Sequence, residues 1–300
     1  MTKNNTFTVG VCLAIVGICM FSAKAVLVKL AYRYEVSSTH LLLFRMLFSL
    51  PFYLVIAFIK KPLSTYDRSA KDYAWVVLMG FVGYYLASYF DFVGLQYIKA
   101  GLERIILFVY PTLVVLLSWM FLKKKATSSQ LWAIALTYLG VCIAFWNEPK
   151  FSGEDTALGG FFVFLSALTY AAYLVGSGFL IPKFGVVVFT SYAMIVSCVC
   201  VFLHYFITDR GDITVYDEHV YLYGFLMAIF CTIIPSYLVS AAIQKLGAST
   251  FAVFGSLGPF STIFLAFVFL DERLVWLQFL GAMVVILGVY FVGKAKKKTE

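Results

Sequence analysis

Hydrophobic runs of membrane-spanning length alternate with short polar breaks along the whole chain. Ten such segments fall at about 8–30, 39–59, 73–95, 100–122, 130–146, 158–180, 187–208, 219–243, 249–270 and 275–292. A helix that crosses about 30 Å of hydrocarbon needs about 20 mostly apolar residues, so each segment reads as one spanning helix. The breaks are chemically plain: Lys60-Lys61-Pro62, Lys123-Lys124-Lys125, Asn147-Glu148-Pro149, Asp209-Arg210-Gly211-Asp212 and Asp271-Glu272-Arg273. No break is long enough to hold an inserted soluble domain. The first apolar run, Val9 to Ala23, passes directly into Lys24 and Lys29 without a small-residue cleavage site, which predicts a retained helix.

Composition agrees with this pattern. The chain of 300 residues is 62% hydrophobic and 13% charged, with a mean hydropathy of +0.93. A water-soluble domain carries about a quarter charged residues and could not hide this much apolar surface. The six cysteines, Cys12, Cys19, Cys142, Cys198, Cys200 and Cys231, all sit inside apolar runs, so neither a metal site nor a disulfide framework is expected.

Lys and Arg in the short loops set the expected orientation. With the N-terminus inside, fourteen of them face the cytoplasm, including Lys60, Lys61, Lys123 to Lys125 and the tail lysines Lys294, Lys296, Lys297 and Lys298; six face outward. This topology accounts for the formal charge of +8 without a nucleic-acid partner. Both termini are expected in the cytoplasm, with the chain in a bacterial plasma (inner) membrane.

An internal repeat emerges when the chain is shifted by 148 residues. Tyr73 then falls on Tyr221, Met79 on Met227, Ser88-Tyr89 on Ser236-Tyr237, and Gln96 on Gln244. Pro111 falls on Pro259, Gln130 on Gln278, and Gly140-Val141 on Gly288-Val289. Each half holds five helices, an odd number, so the second half should enter the membrane upside down relative to the first. Such inverted repeats build two gates of one design around a midplane site.

Ten helices in two such halves, with a proline midway along the fourth and ninth, resemble the drug/metabolite transporter superfamily and its EamA-type members. The closest matches are Ala-Gly-Leu-Glu-Arg at 100–104, Tyr110-Pro111-Thr112, Arg45, and Leu-Asp-Glu-Arg-Leu at 270–274. At the ends of the fourth and ninth helices, where that family often carries Gly-Glu, this chain has Lys123-Lys124 and Asp271-Glu272. The resemblance implies an all-α membrane fold: a first EamA-like repeat over 8–146, a second over 158–292, and a basic cytoplasmic tail over 293–300. It also implies secondary transport of a small solute, commonly efflux, without cofactor or enzymatic turnover.

Charge inside a membrane is costly, so each instance is a candidate for function. Counted from the expected outer ends at about 1.5 Å per residue, Arg45 lies about 9 Å deep, Lys24 about 10 Å, Asp91 about 6 Å and Glu103 about 5 Å. They share one layer on the first half, and bases outnumber acids. One reading is a structural ion network; the other is an electropositive vestibule for an anionic or zwitterionic solute such as an amino acid. Asp91 or Glu103 could also couple transport to protons. Lys29 and Arg104 are expected to snorkel to the headgroups.

Polar stripes extend the candidate site. Tyr84, Ser88 and Asp91 share a face of the third helix, Tyr170, Tyr173 and Ser177 one of the sixth, and Ser236, Ser240 and Gln244 one of the eighth. Tyr110 joins them beside Pro111. Pro111 and Pro259, the latter in Gly255-x-x-Gly258-Pro259, each remove one backbone hydrogen bond in mid-membrane and are candidate hinges. His40, His204 and His219 lack metal-binding spacing. A lipid or lipid-linked carrier, and a multispanning enzyme, are the rival functions. The enzyme lacks every motif that would mark it: no His-Glu-x-x-His, no Gly-x-Ser-x-Gly and no phosphate-binding loop. The expected partners are a small-molecule solute and the lipid bilayer, with a homodimer left open.

Overall fold

The computed structural model describes residues 3–62, 67–98, 100–123, 127–144, 155–269, 276–277, 279–281 and 283–287. Among them the protein is all-helical. Helix α1 runs Lys3–Tyr32, α2 Ser38–Ile59 and α3 Ala70–Tyr97. Helix α4 comprises Ala100–Leu107 and Tyr110–Leu122, and α5 runs Ser128–Ala144. Then come α6 Thr156–Phe184, α7 Val186–Thr208, α8 Glu218–Leu246 and α9 Ala248–Phe269. The described residues between 276 and 287 are helical and pack on α5, where Gly140 lies against the backbone of Gly281. The basic tail, the 147–150 break and Asp271-Glu272-Arg273 lie outside the described residues.

Seven of the described helices are long and apolar enough to cross a membrane. Their outward faces carry large apolar side chains, with Phe58, Ile207 and Phe206 exposed by 84%, 75% and 61%. In water this surface would be untenable; against acyl chains it costs nothing, and the chain is an integral, multi-pass membrane protein.

Local sequence explains where the helices begin and turn. The Ser37 side chain accepts the His40 backbone N–H to cap α2, and Asp217 accepts that of His219 to cap α8. Ser69 and Asp72 form a capping box at the start of α3. Single glycines, Gly185 and Gly247, join α6 to α7 and α8 to α9 at φ near +80° and ψ near 154°, a conformation open essentially to glycine alone.

Four irregularities depart from the expected smooth helices, and they pair across the chain. Helix α3 widens to a π-helix over Gly80–Leu86, and α8 does so over Ile229–Ile233. Helix α4 breaks at a turn over Phe108 and Val109, and α9 tightens to a 3₁₀ turn over Gly255–Leu257. Under the 148-residue shift the two π segments overlap and the two breaks coincide, each just ahead of its proline. The continuous helix expected over 100–122 is therefore two helices. Pro111 supplies no N–H, so the turn before it cannot close into the α pattern.

Packing follows the same pairing. Helix α1 packs along α8 and α9, and α6 packs along α3 and α4; α2 lies on α7 and α8, and α7 on α2 and α3. Gly10 and Gly17 of α1 meet Leu246 and Val239 of α8, so those helices are antiparallel. Gly159 and Gly176 of α6 meet Tyr97 and Met79 of α3, so that pair is antiparallel too. In contrast, Lys24, Lys29 and Tyr32 of α1 meet Asp91, Leu95 and Phe92 of α3, and these two run parallel. Helices α1 and α3 thus run one way, α6 and α8 the other. Small residues allow the close approaches, as expected where lipid gives helices no hydrophobic reason to associate.

Candidate functional site

Two residues of the charged layer expected from sequence, Lys24 and Asp91, meet across the parallel pair α1 and α3. Lys24 Nζ meets Asp91 Oδ2 at 2.6 Å, with the two side chains only 10% and 1% exposed. Farther along, Lys29 Nζ donates to the Leu95 carbonyl at 2.6 Å. Its ammonium is held by a backbone oxygen of α3. The Arg104 side chain lies outside the described residues. Glu103, from the first part of α4, is fully buried.

Arg45 enters from α2 and is 1% exposed. Its Nη2 donates to Ser88 Oγ at 3.2 Å, and the guanidinium lies over the Phe92 ring, 5.4 Å from its centroid. Nε and Nη1 are buried and have no hydrogen-bond acceptor among the described residues. Such an arrangement is expensive unless something else satisfies it.

Beside this layer lies a cavity of about 90 Å³, walled by α1, α3, α4, α6, α8 and α9. It holds several water-sized bodies. Lys24, Tyr84, Ser88, Tyr110, Tyr170 and Pro259, all expected from sequence, line it. Both helix breaks open onto it, through Phe108 on one side and Gly255 on the other. The Tyr110 hydroxyl rests directly over the Gly255 Cα, in the space any side chain there would occupy.

The remaining expected residues stand behind the lining or away from it. Asp91 holds Lys24 from behind, and Arg45 reaches the cavity through Ser88. Tyr173 is fully buried and donates to the Tyr84 hydroxyl at 3.1 Å, with the rings 4.6 Å apart. Ser177 donates to the Tyr173 carbonyl at 2.7 Å, and Ser240 accepts from Thr190 at 2.7 Å, so both hydroxyls serve helix packing. Gln244 is exposed near the end of α8. Pro111 adjoins Tyr110 at the α4 break.

Sequence reading missed the apolar walls, Phe21, Phe108, Val239 and Phe251, and the hydroxyls of Ser22 and Ser166. An apolar residue in an apolar helix carries no mark of whether it faces lipid or a cavity. Ser22 carried a usable signal: it is a hydroxyl two residues from Lys24, and it bonds the Gly258 carbonyl at 3.2 Å.

Comparison with known proteins agrees with this architecture. The model of the EamA-like transporter family matches twice, over residues 8–146 and 157–294. The uncharacterized transporter YcbK of Bacillus subtilis (strain 168) is 28% identical over 289 residues, covering 94% of this chain and 91% of its own. An uncharacterized transporter of Archaeoglobus fulgidus is 26% identical over 227 residues, covering 74% and 78%. One solved crystal structure shares the fold, with a TM-score of 0.77 at 13% identity over 94% of this chain and 97% of that one. With both halves matched by one family model and the site set between them, the chain belongs to the EamA-like transporter family.

Proposed function

We propose that the chain is a secondary transporter that exports a small anionic or zwitterionic metabolite, such as an amino acid, across a bacterial inner membrane by alternating access. The observation that carries this reading is the cavity. It lies where helices of both halves meet, is flanked by a buried ion pair, and is bordered by a break in one helix of each half. The two halves act as inverted five-helix repeats around it, with both termini cytoplasmic. The opposite directions of α1 and α3 relative to α6 and α8, the paired π segments and the reciprocal packing all support that reading. Alternating access then exchanges which half closes over the solute. Lys24 and Arg45 provide the positive charge, and Asp91 orients Lys24.

The test is solute flux into proteoliposomes holding the purified chain. Saturable uptake of labelled carboxylates or amino acids, absent from protein-free vesicles, is expected. Movement of labelled lipid in the same vesicles, with no solute flux, would instead identify a lipid carrier.

A further inference from the structure

The two ends of the cavity differ in chemistry. At one end stand the Lys24 ammonium, with Asp91 behind it, and the hydroxyls of Ser22 and Ser88. At the other stand the rings of Tyr84, Tyr110, Tyr170 and Phe251. Helix geometry gives the span between the ends. Lys24 lies six residues beyond Ile18 on α1, and Asp91 seven beyond Tyr84 on α3, about 9 Å and about 10.5 Å along the axis. That is the length of a phenyl ring carrying a short carboxylated chain.

The asymmetry has a cause in the sequence. Under the 148-residue shift the charged layer maps onto apolar residues: Lys24 onto Ala172, Arg45 onto Ala193, Asp91 onto Val239 and Glu103 onto Phe251. Val239 and Phe251 line the aromatic end. The charge of the cavity therefore comes from the first half, and the second half sets apolar residues at the equivalent positions.

The charge count narrows the solute further. Among the described side chains of this layer are three bases, Lys24, Lys29 and Arg45, and two acids, Asp91 and Glu103, a formal excess of one positive charge. Arg45 also keeps Nε and Nη1 without an acceptor, next to Ser88 on the cavity wall. A zwitterion leaves that excess in place, whereas a monoanion cancels it, and guanidinium binds a carboxylate through two parallel hydrogen bonds.

Resting on the transporter reading, we propose that the site takes a flat aromatic monocarboxylate, its carboxylate toward Lys24, Ser88 and Arg45 and its ring among Tyr84, Tyr110, Tyr170 and Phe251. The experiment is counterflow of labelled 3-phenylpropionate in proteoliposomes of the full chain, corrected for leak in protein-free vesicles. Unlabelled phenylalanine, phenylethylamine, butyrate and 3-phenylpropionate compete. Expected is inhibition by 3-phenylpropionate at concentrations on the order of tenfold lower than by phenylalanine or butyrate. In folded Phe251→Ala, or Phe251→Leu should that fail to fold, the advantage over butyrate should shrink by a similar factor. Preference for phenylalanine overturns the monoanion assignment and leaves the transporter reading standing. Butyrate competing as well as 3-phenylpropionate overturns the aromatic assignment. No flux of any carboxylate or amino acid overturns both.

Discussion

Two contacts at the residue scale dominate the interior. Lys24 and Asp91 form an ion pair with side chains only 10% and 1% exposed, so removing Lys24 takes a counter-ion from a buried carboxylate. Loss of one partner of such a buried pair costs about 3–5 kcal/mol. Lys24→Ala is therefore expected to lower the Tm and the yield of folded protein sharply. Lys24→Ala with Asp91→Ala should recover most of both while leaving flux low, which fluorescence-detected size exclusion and counterflow measure separately. Arg45 behaves differently, because its guanidinium donates to Ser88 and lies over the Phe92 ring. Arg45→Lys keeps the charge but loses the planar fork, and is expected to weaken carboxylate binding by on the order of tenfold, read as the KM of counterflow. Unchanged KM in Arg45→Lys would remove the guanidinium from recognition. A third case is Gly255, whose Cα lies under the Tyr110 hydroxyl. Gly255→Ala must displace that hydroxyl and should cut flux. Tyr110→Phe in the same chain should restore part of it, since the colliding oxygen is gone.

Among the helices, the breaks are the features that single residues cannot explain. Each of α4 and α9 loses its regular hydrogen bonding just before a proline, facing the cavity. If these turns flex as the gates exchange, Pro111→Ala and Pro259→Ala should slow transport with little change in Tm. Flux at the parent rate in both variants would make the breaks packing details. Helix α8 offers a contrast in its cap. The Asp217 carboxylate is held below the usual range, first by the His219 backbone N–H and then by its ring. A carboxylate lowered on folding adds stability above its unfolded value, about 3.9, and loses that contribution as pH falls through its folded value. Asp217→Ala should therefore lower the Tm at pH 7, and the difference from the parent should vanish in strong acid. Melts of the two proteins across pH 3–7 check the sign.

For the whole molecule, orientation is the open quantity with the most direct test. The excess of Lys and Arg in alternate loops predicts both termini inside. A fluorescent protein fused at the C-terminus should glow, and alkaline phosphatase fused there should be inactive. Fusions near residues 65 and 213 should report opposite sides of the membrane. Phosphatase activity at the C-terminus would overturn an even number of crossings. The same scale explains how the Lys183–Asp72 pair, 2.6 Å apart, ties the end of α6 to the start of α3, while Tyr34 and His219 stack at 5.2 Å where α1 ends and α8 begins. The two ends of the bundle are closed by the same pairs of helices in opposite halves, with an ion pair at one and stacked rings at the other.

The linear sequence by itself determined that the chain lives in a membrane, where its apolar segments run, and which few charges among them are buried. These follow from one-dimensional quantities: run length, charge placement and the 148-residue shift that aligned Pro111 with Pro259. It also carried six of the residues that line the cavity, because a polar side chain in an apolar run is conspicuous. Tertiary structure alone decided the rest. Whether Phe251 faces lipid or solute depends on which helices surround α9, and both solvents are equally apolar to the residue itself. Lys29 looked free to reach the headgroups until α3 brought the Leu95 carbonyl within 2.6 Å. The Lys24–Asp91 bond and the seat of Tyr110 over Gly255 each join residues far apart in sequence. Such contacts are set by how helices pack, which periodicity along one helix does not encode.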